Sequence, residues 1–189
     1  FAFTSTTIED SSSLIFSNIS VTANVISFAR FYSRQGTGTA ATNSLQLFED
    51  ITIDFTDRNR TESNGANLGG FEVSTTFPHD GWRASDNSTI VFQRISAKLH
   101  HVLGGANYVR FWMANGCPTV AERNSHMLVN NIDLDLLSEA GTSYVFQQQG
   151  SGEIAAKENS SVIFSNVRGS ISAVRDSELS VFRLSSSWQ

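Results

Sequence analysis

NSTIVFQRI, at 87–95, recurs along this chain in four altered forms: SSLIFSNI at 12–19, NSLQLFEDI at 43–51, NSHMLVNNI at 124–132 and NSSVIFSNV at 159–167. Each copy has an anchor: Phe16, Phe48, Phe92, Val129 or Phe164. Five positions earlier stands Ser11, Asn43, Asn87, Asn124 or Asn159, and four earlier a serine, Ser12, Ser44, Ser88, Ser125 or Ser160. The residue just before the anchor is always aliphatic (Ile15, Leu47, Val91, Leu128, Ile163), as is the third one after it (Ile19, Ile51, Ile95, Ile132, Val167). Self-similarity at this spacing marks a stack of like units, none of which can bury its own apolar face alone.

Within a unit the apolar period is 2. Ile51, Ile53 and Phe55 alternate with Thr52 and Asp54, and Leu134 and Leu136 with Asp133 and Asp135, which reads as half-buried strand. At the anchor the alternation slips. Phe16 and Ile19 are three apart, yet both look inward, so the chain must bend between them. The second intervening residue is Asn18, Asp50, Arg94, Asn131 or Asn166. Asn and Asp tolerate the left-handed backbone a sharp bend needs, and Arg94 departs from that pattern. A further strand is expected at 27–33, 71–77, 108–114, 143–149 and 179–185, joined by loops, several bearing glycine (36–39, 65–70, 104–107, 150–152).

Strand, tight bend and strand, repeated with Asn at the bend, resembles the right-handed parallel β-helix of the pectin-lyase-like superfamily. The resemblance implies a solenoid of about five coils and covers nearly the whole chain. It is specific for architecture and unspecific for activity, because tailspikes, adhesins, lyases and hydrolases share it. The expected organisation is one β domain, 1–189, in five repeats: 11–42, 43–86, 87–123, 124–158 and 159–189. Anchors would stack as one internal ladder, and bend asparagines would hydrogen-bond to one another as amide ladders do. An antiparallel β-sandwich or jelly roll is the rival architecture, although it gives no reason for the bend to recur at one offset.

Composition narrows the function classes. The 189 residues suffice for a sizeable core. A net charge of −5 argues against nucleic acid as main partner. Cys117 is the single cysteine, so no intrachain disulfide forms, and it is expected as a small packed residue. No apolar run is long enough to cross a membrane as a helix. The chain begins at Phe1 without a leader pattern, which reads as a processed form or an excised fragment. N-x-S/T sequons at Asn18, Asn59, Asn87 and Asn159 are compatible with export, but chance alone supplies several in so Asn- and Ser-rich a chain.

Stacking would align the outward residues of the strand after the bend. Asp54, Lys98 and Asp135 would be neighbours about 4.8 Å apart, and Asp133 would pair with Arg168. One reading is a charged groove for a polysaccharide, with Asp54, Lys98, Asp135 and Arg168 as its catalytic set. The other is a cross-strand ladder of opposite charges, which the alternation of sign favours. Histidines are few; adjacent His100 and His101 face opposite ways on a strand. No metal-ligand spacing appears, and neither a metal nor a cofactor is expected.

Trp82, with Asp80 and Arg83, lies in FPHDGWRASDN (77–87), which reads as a polar loop. Trp112 sits on a strand apolar on both faces. Exposed tryptophans stack on sugars, so Trp82, Asp80, Arg83 and Trp112 are the candidate ligand contacts; the alternative for both rings is burial. The apolar termini (Phe1, Phe3, Phe182, Leu184, Trp188) suggest association with other copies or with a longer parent chain. The resulting expectation is a non-enzymatic extracellular, cell-surface or virion module of structural or adhesin type that self-associates and takes polysaccharide as its ligand class. A depolymerase and a jelly-roll virion subunit are the alternatives.

Overall fold

The computed structural model describes residues 2–3, 6–25, 28–35, 38–57, 67–74, 81–102, 108–139, 141–150, 153–173 and 178–185. Phe1, Asn59, Asp80 and Trp188 lie outside the described residues. Every strand pairing is parallel and joins one coil to the next. Three sheets result, and no helix occurs among the described residues. This is a five-coil parallel β-helix architecture. It excludes the antiparallel sandwich or jelly roll.

The long sheet contains the repeated phrase: Ser13–Val25, Leu45–Asp57, Thr89–His101, His126–Ser138 and Ser161–Ala173. The middle sheet follows it in each coil: Phe28–Gln35, Asn67–Ser74, Tyr108–Asn115, Thr142–Gln149 and Leu179–Ser185, with Ala2–Phe3 at its edge. The short sheet closes the coil: Thr6–Ile8, Gly38–Ala40, Trp82–Ser85, Thr119–Glu122 and Ile154–Ala156. These short strands occupy segments expected as loops, because three or four residues carry no readable period. The second middle strand also lies earlier than the expected 71–77.

The register lines up the phrase. Phe16, Phe48, Phe92, Val129 and Phe164 occupy one row, and Ile19, Ile51, Ile95, Ile132 and Val167 another. Phe16 stacks on Phe48 at 5.0 Å and Phe48 on Phe92 at 4.8 Å, with nearly parallel rings in both cases. Tyr32, Phe71, Trp82 and Trp112 meet this ladder from the other two sheets. Each buried ring contributes roughly 1.5–3 kcal/mol. Cys117 is buried, with Sγ 3.7 Å from the Val73 carbonyl oxygen.

Two corners shape each coil. At the first, Asn18, Asp50, Arg94, Asn131 and Asn166 all adopt φ between 50° and 54°. Arg94 therefore follows the bend rule in geometry. Its guanidinium is tied to Asp50 at 2.7 and 3.0 Å and to Glu49 at 2.6 Å, which offsets the left-handed strain. The expected amide ladder does not form among the described residues. Asn166 donates to Asn130 rather than to Asn131, and Asn18 to Ser17. The second corner is a pair of left-handed residues ahead of each phrase: Asp10–Ser11, Thr42–Asn43, Asp86–Asn87, Arg123–Asn124 and Glu158–Asn159. That pair explains the recurring Asn.

The recurring serine is explained by hydrogen bonding. Ser44 N donates to Ser88 Oγ, Ser88 N to Ser125 Oγ and Ser125 N to Ser160 Oγ, at 3.0–3.1 Å. Ser44, Ser88 and Ser125 are buried, so each hydroxyl satisfies an amide that would otherwise be orphaned. The aliphatic residue before the anchor behaves differently. Ile15, Leu47, Val91, Leu128 and Ile163 form one row on the outer face, and Ile15 and Ile163 are exposed.

Candidate functional site

The second leg of the long sheet presents two outward rows. One runs Thr22, Asp54, Lys98, Asp135 and Ser170; the other Ser20, Thr52, Ser96, Asp133 and Arg168. The expected alignment is present. Lys98 Nζ lies 3.5 Å from Asp54 Oδ2. Arg168 is bidentate on Asp133 at 2.5 and 3.1 Å. Ser170 Oγ donates to Asp135 at 2.9 Å, and His100 Nε2 stands 2.9 Å from the same carboxylate without hydrogen-bond alignment. Two strand spacings separate Asp54 from Asp135 by about 9.6 Å, at the far edge of glycosidase carboxylate pairs. Lys98 stands between them, and each carboxylate has a partner. As arranged, the stripe acts as a paired cross-strand ladder.

Above the corner, Arg94, Ile95, Ser96, Asn131, Asp133, Asn166, Val167 and Arg168 line an open polar groove of about 810 Å³. The short Asn131 and Asp133 of the fourth coil floor it between two longer arginines. The Arg94 hydrogen bonds hold the Asp50 carboxyl below its ordinary range, and Arg168 does the same to Asp133. Both arginines are raised in turn. Their charges are spent on neighbouring coils, so the groove offers amide and hydroxyl groups more than free charge.

Trp82 corrects the expectation of a ligand-stacking loop. It heads a strand and is fully buried, 6.2 Å from Trp112 and 5.0 Å from Phe92. Trp112 is likewise core. Neither ring reaches a surface ligand. Arg83 is half-exposed and donates to Glu122 Oε1 at 2.6 and 3.1 Å. Asp80 lies outside the described residues.

Two polar features are not apparent from the phrase. His101 Nδ1 and Asp57 Oδ2 are 2.9 Å apart, both side chains buried, with Ser138 next in the row. All three stand nine residues after an anchor, so the repeat offset carried the signal. The other is Arg30, Glu72 and Arg110 on the outer face of the middle sheet. Loops of unequal length hide that register, but the aromatic-x-Arg spacing of Phe28–Arg30 and Tyr108–Arg110 marks it.

No group of three or more His, Cys, Asp or Glu among the described residues could hold a metal ion, and none of their helices is long and apolar enough to cross a membrane. No family model, curated protein or solved structure matches this chain.

Proposed function

We propose that this chain is a non-enzymatic structural solenoid of an extracellular, cell or virion surface, and that copies join end to end. The open state of its last coil supports this reading. Leu179, Val181 and Phe182 are each about half exposed, whereas Ser143, Val145 and Phe146, their counterparts one coil earlier, are buried. Phe182 stacks on Phe146 at 4.9 Å with one face and leaves the other to solvent. The long strand of the same coil has a neighbour on one side only among the described residues. At the opposite end Ser13–Val25 is equally single-sided among the described residues, and Phe16 and Ile19 are only half-buried.

A second copy placed head to tail would set Phe164 against Phe16 and Val167 against Ile19, repeating the contact made inside the stack. Unpaired strand edges template such additions, and a head-to-tail contact that does not close gives an open filament. The exposure of Asn18, Asn87 and Asn159 fits an exported protein, since a sequon must be accessible to be modified. Polysaccharide stays the ligand class proposed for the polar outer groove.

Sedimentation velocity over a concentration series tests the assembly. Open-ended growth of species is expected, and Phe182→Lys is expected to suppress it. A monomer at every concentration would sink the reading, as would unchanged growth in Phe182→Lys.

A further inference from the structure

The outer face of the middle sheet holds a slot separate from both the ends and the long-sheet groove. The register sets Arg30 beside Gly69 and Gly69 beside Arg110. With Asn67, Leu68, Glu72 and Tyr108 they enclose about 140 Å³. At about 30 Å³ per water, that is room for four or five waters. Gly69 is the gap between the arginines: a Cβ there would stand 3.2 Å from Arg30 Cγ. The guanidiniums are seated on aromatic rings, Arg30 over Phe28 at 4.1 Å and Arg110 over Tyr108 at 3.9 Å. Such stacking fixes their orientation.

The charges in this slot do not balance. Glu72 forms an ion pair with Arg30. Arg110 has no carboxylate within ion-pair distance among the described residues, its Nε is buried without a hydrogen-bond partner, and its Nη1 meets only Met113 Sδ, a weak acceptor. Burial pulls the Arg30 and Arg110 guanidiniums down and pushes the Glu72 carboxyl up, against their mutual attraction. Two cations and one anion in a partly dry slot leave one positive charge and one unsatisfied N–H. A buried unmade hydrogen bond is a standing cost that a bound acceptor removes.

We propose that this slot binds a small carboxylate, which accepts hydrogen bonds from the Arg110 guanidinium and lies over Gly69 beside the Tyr108 ring. A carboxylate matches the single surplus charge and the planar fork of arginine. Phosphate, at roughly −1.5 to −2 near neutral pH, overmatches it beside Glu72. Leu68 and Tyr108 supply apolar walls for the body of the ligand, whether a free acid or a sugar acid.

Calorimetric titration of the whole chain with acetate and with glucuronate tests this, with glucose and inorganic phosphate as comparators. One saturable site per chain is expected for at least one carboxylate; saturation by glucuronate alone would identify a sugar acid, and by acetate as well the carboxylate itself. Arg110→Gln should weaken binding about tenfold or more by removing a charge-assisted bond. Gly69→Ala should weaken it comparably by filling the slot, and serves as the decisive variant should Arg110→Gln unfold. Lys157→Gln, just past the last strand of the short sheet and paired only with exposed Glu153, should leave it unchanged. Saturation by neither carboxylate overturns the proposal. So does phosphate or glucose binding as tightly, or binding that survives Gly69→Ala in a folded chain. Binding is read per chain, so the result is independent of end-to-end assembly.

Discussion

The third coil and the fifth share a phrase and differ in their surroundings. Among the described residues Phe92 has a coil on either side and is 1% exposed, whereas Phe164 has a coil on one side and is half-buried. Ser125 donates its amide to Ser160, while Ser160 N has no acceptor among the described residues. The same residues thus hold the interior together in one place and stand unfinished in another. In a solenoid, position in the stack decides what a residue contributes, more than its identity does.

The largest expected effect is on the aromatic ladder. Phe92→Ala should cost about 3–5 kcal/mol by urea unfolding, in line with other buried phenylalanine truncations. Phe164→Ala should cost less than half as much in dilute monomer, and equal losses would break the contrast between coils. Next comes the serine ladder. Ser125→Ala orphans the buried Ser88 amide and should cost about 1–3 kcal/mol. Ser160→Ala removes a part-exposed hydroxyl, whose place against the Ser125 amide water can take, and should cost visibly less. A conservative Ser125→Thr that restores stability would assign the effect to the hydroxyl.

Acidification sharpens the contrast further. Hydrogen bonds from Arg94, Arg123 and Arg168 hold the Asp50, Asp86 and Asp133 carboxyls below their ordinary range. A depressed carboxyl stabilises the fold above its unfolded value and loses that contribution as pH falls through its folded value. Glu72 has the opposite sign, since burial raises it and favours the fold at low pH. Three groups against one predict a falling melting temperature below about pH 4. Two of the pairs join the second and third coils, and Asp133–Arg168 joins the fourth and fifth. Hydrogen exchange at low pH should therefore rise first in the fifth coil, which pairs with the fourth alone among the described residues. The smallest effect expected is that of salt on these exposed pairs, a shift of melting temperature near the limit of detection.

Much of the stack can be read from the chain because its causes are local. Phe16 to Ile19 fixes the slip, the left-handed tolerance of Asn and Asp fixes the bend, and equal offsets fix the register of Asp54, Lys98 and Asp135. Arg94 shows that an ion pair substitutes for backbone tolerance, which a single copy of the phrase does not reveal. The short strands escaped notice because Trp82–Ser85 is set by its neighbours and not by any period of its own. Trp82 looked exposed because Pro, Gly and charged residues flank it, although burial follows from the closing of the coil. The outward row of Ile15 to Ile163 shows that an invariant apolar position need not face the core. Arg110 was hidden because the loops between phrase and middle sheet differ in length from coil to coil.

The serine ladder also governs chemical ageing. Four of the corner asparagines are followed by serine: Asn43, Asn87, Asn124 and Asn159. Loss of ammonia from such an asparagine begins when the next backbone nitrogen attacks its side-chain carbonyl. In the first three, that nitrogen is engaged by a hydroxyl of the neighbouring coil. At Asn159 no such bond is made among the described residues. Among these four asparagines, peptide mapping after prolonged storage should find new acid first at Asn159, and a copy stacked on the fifth coil would delay it.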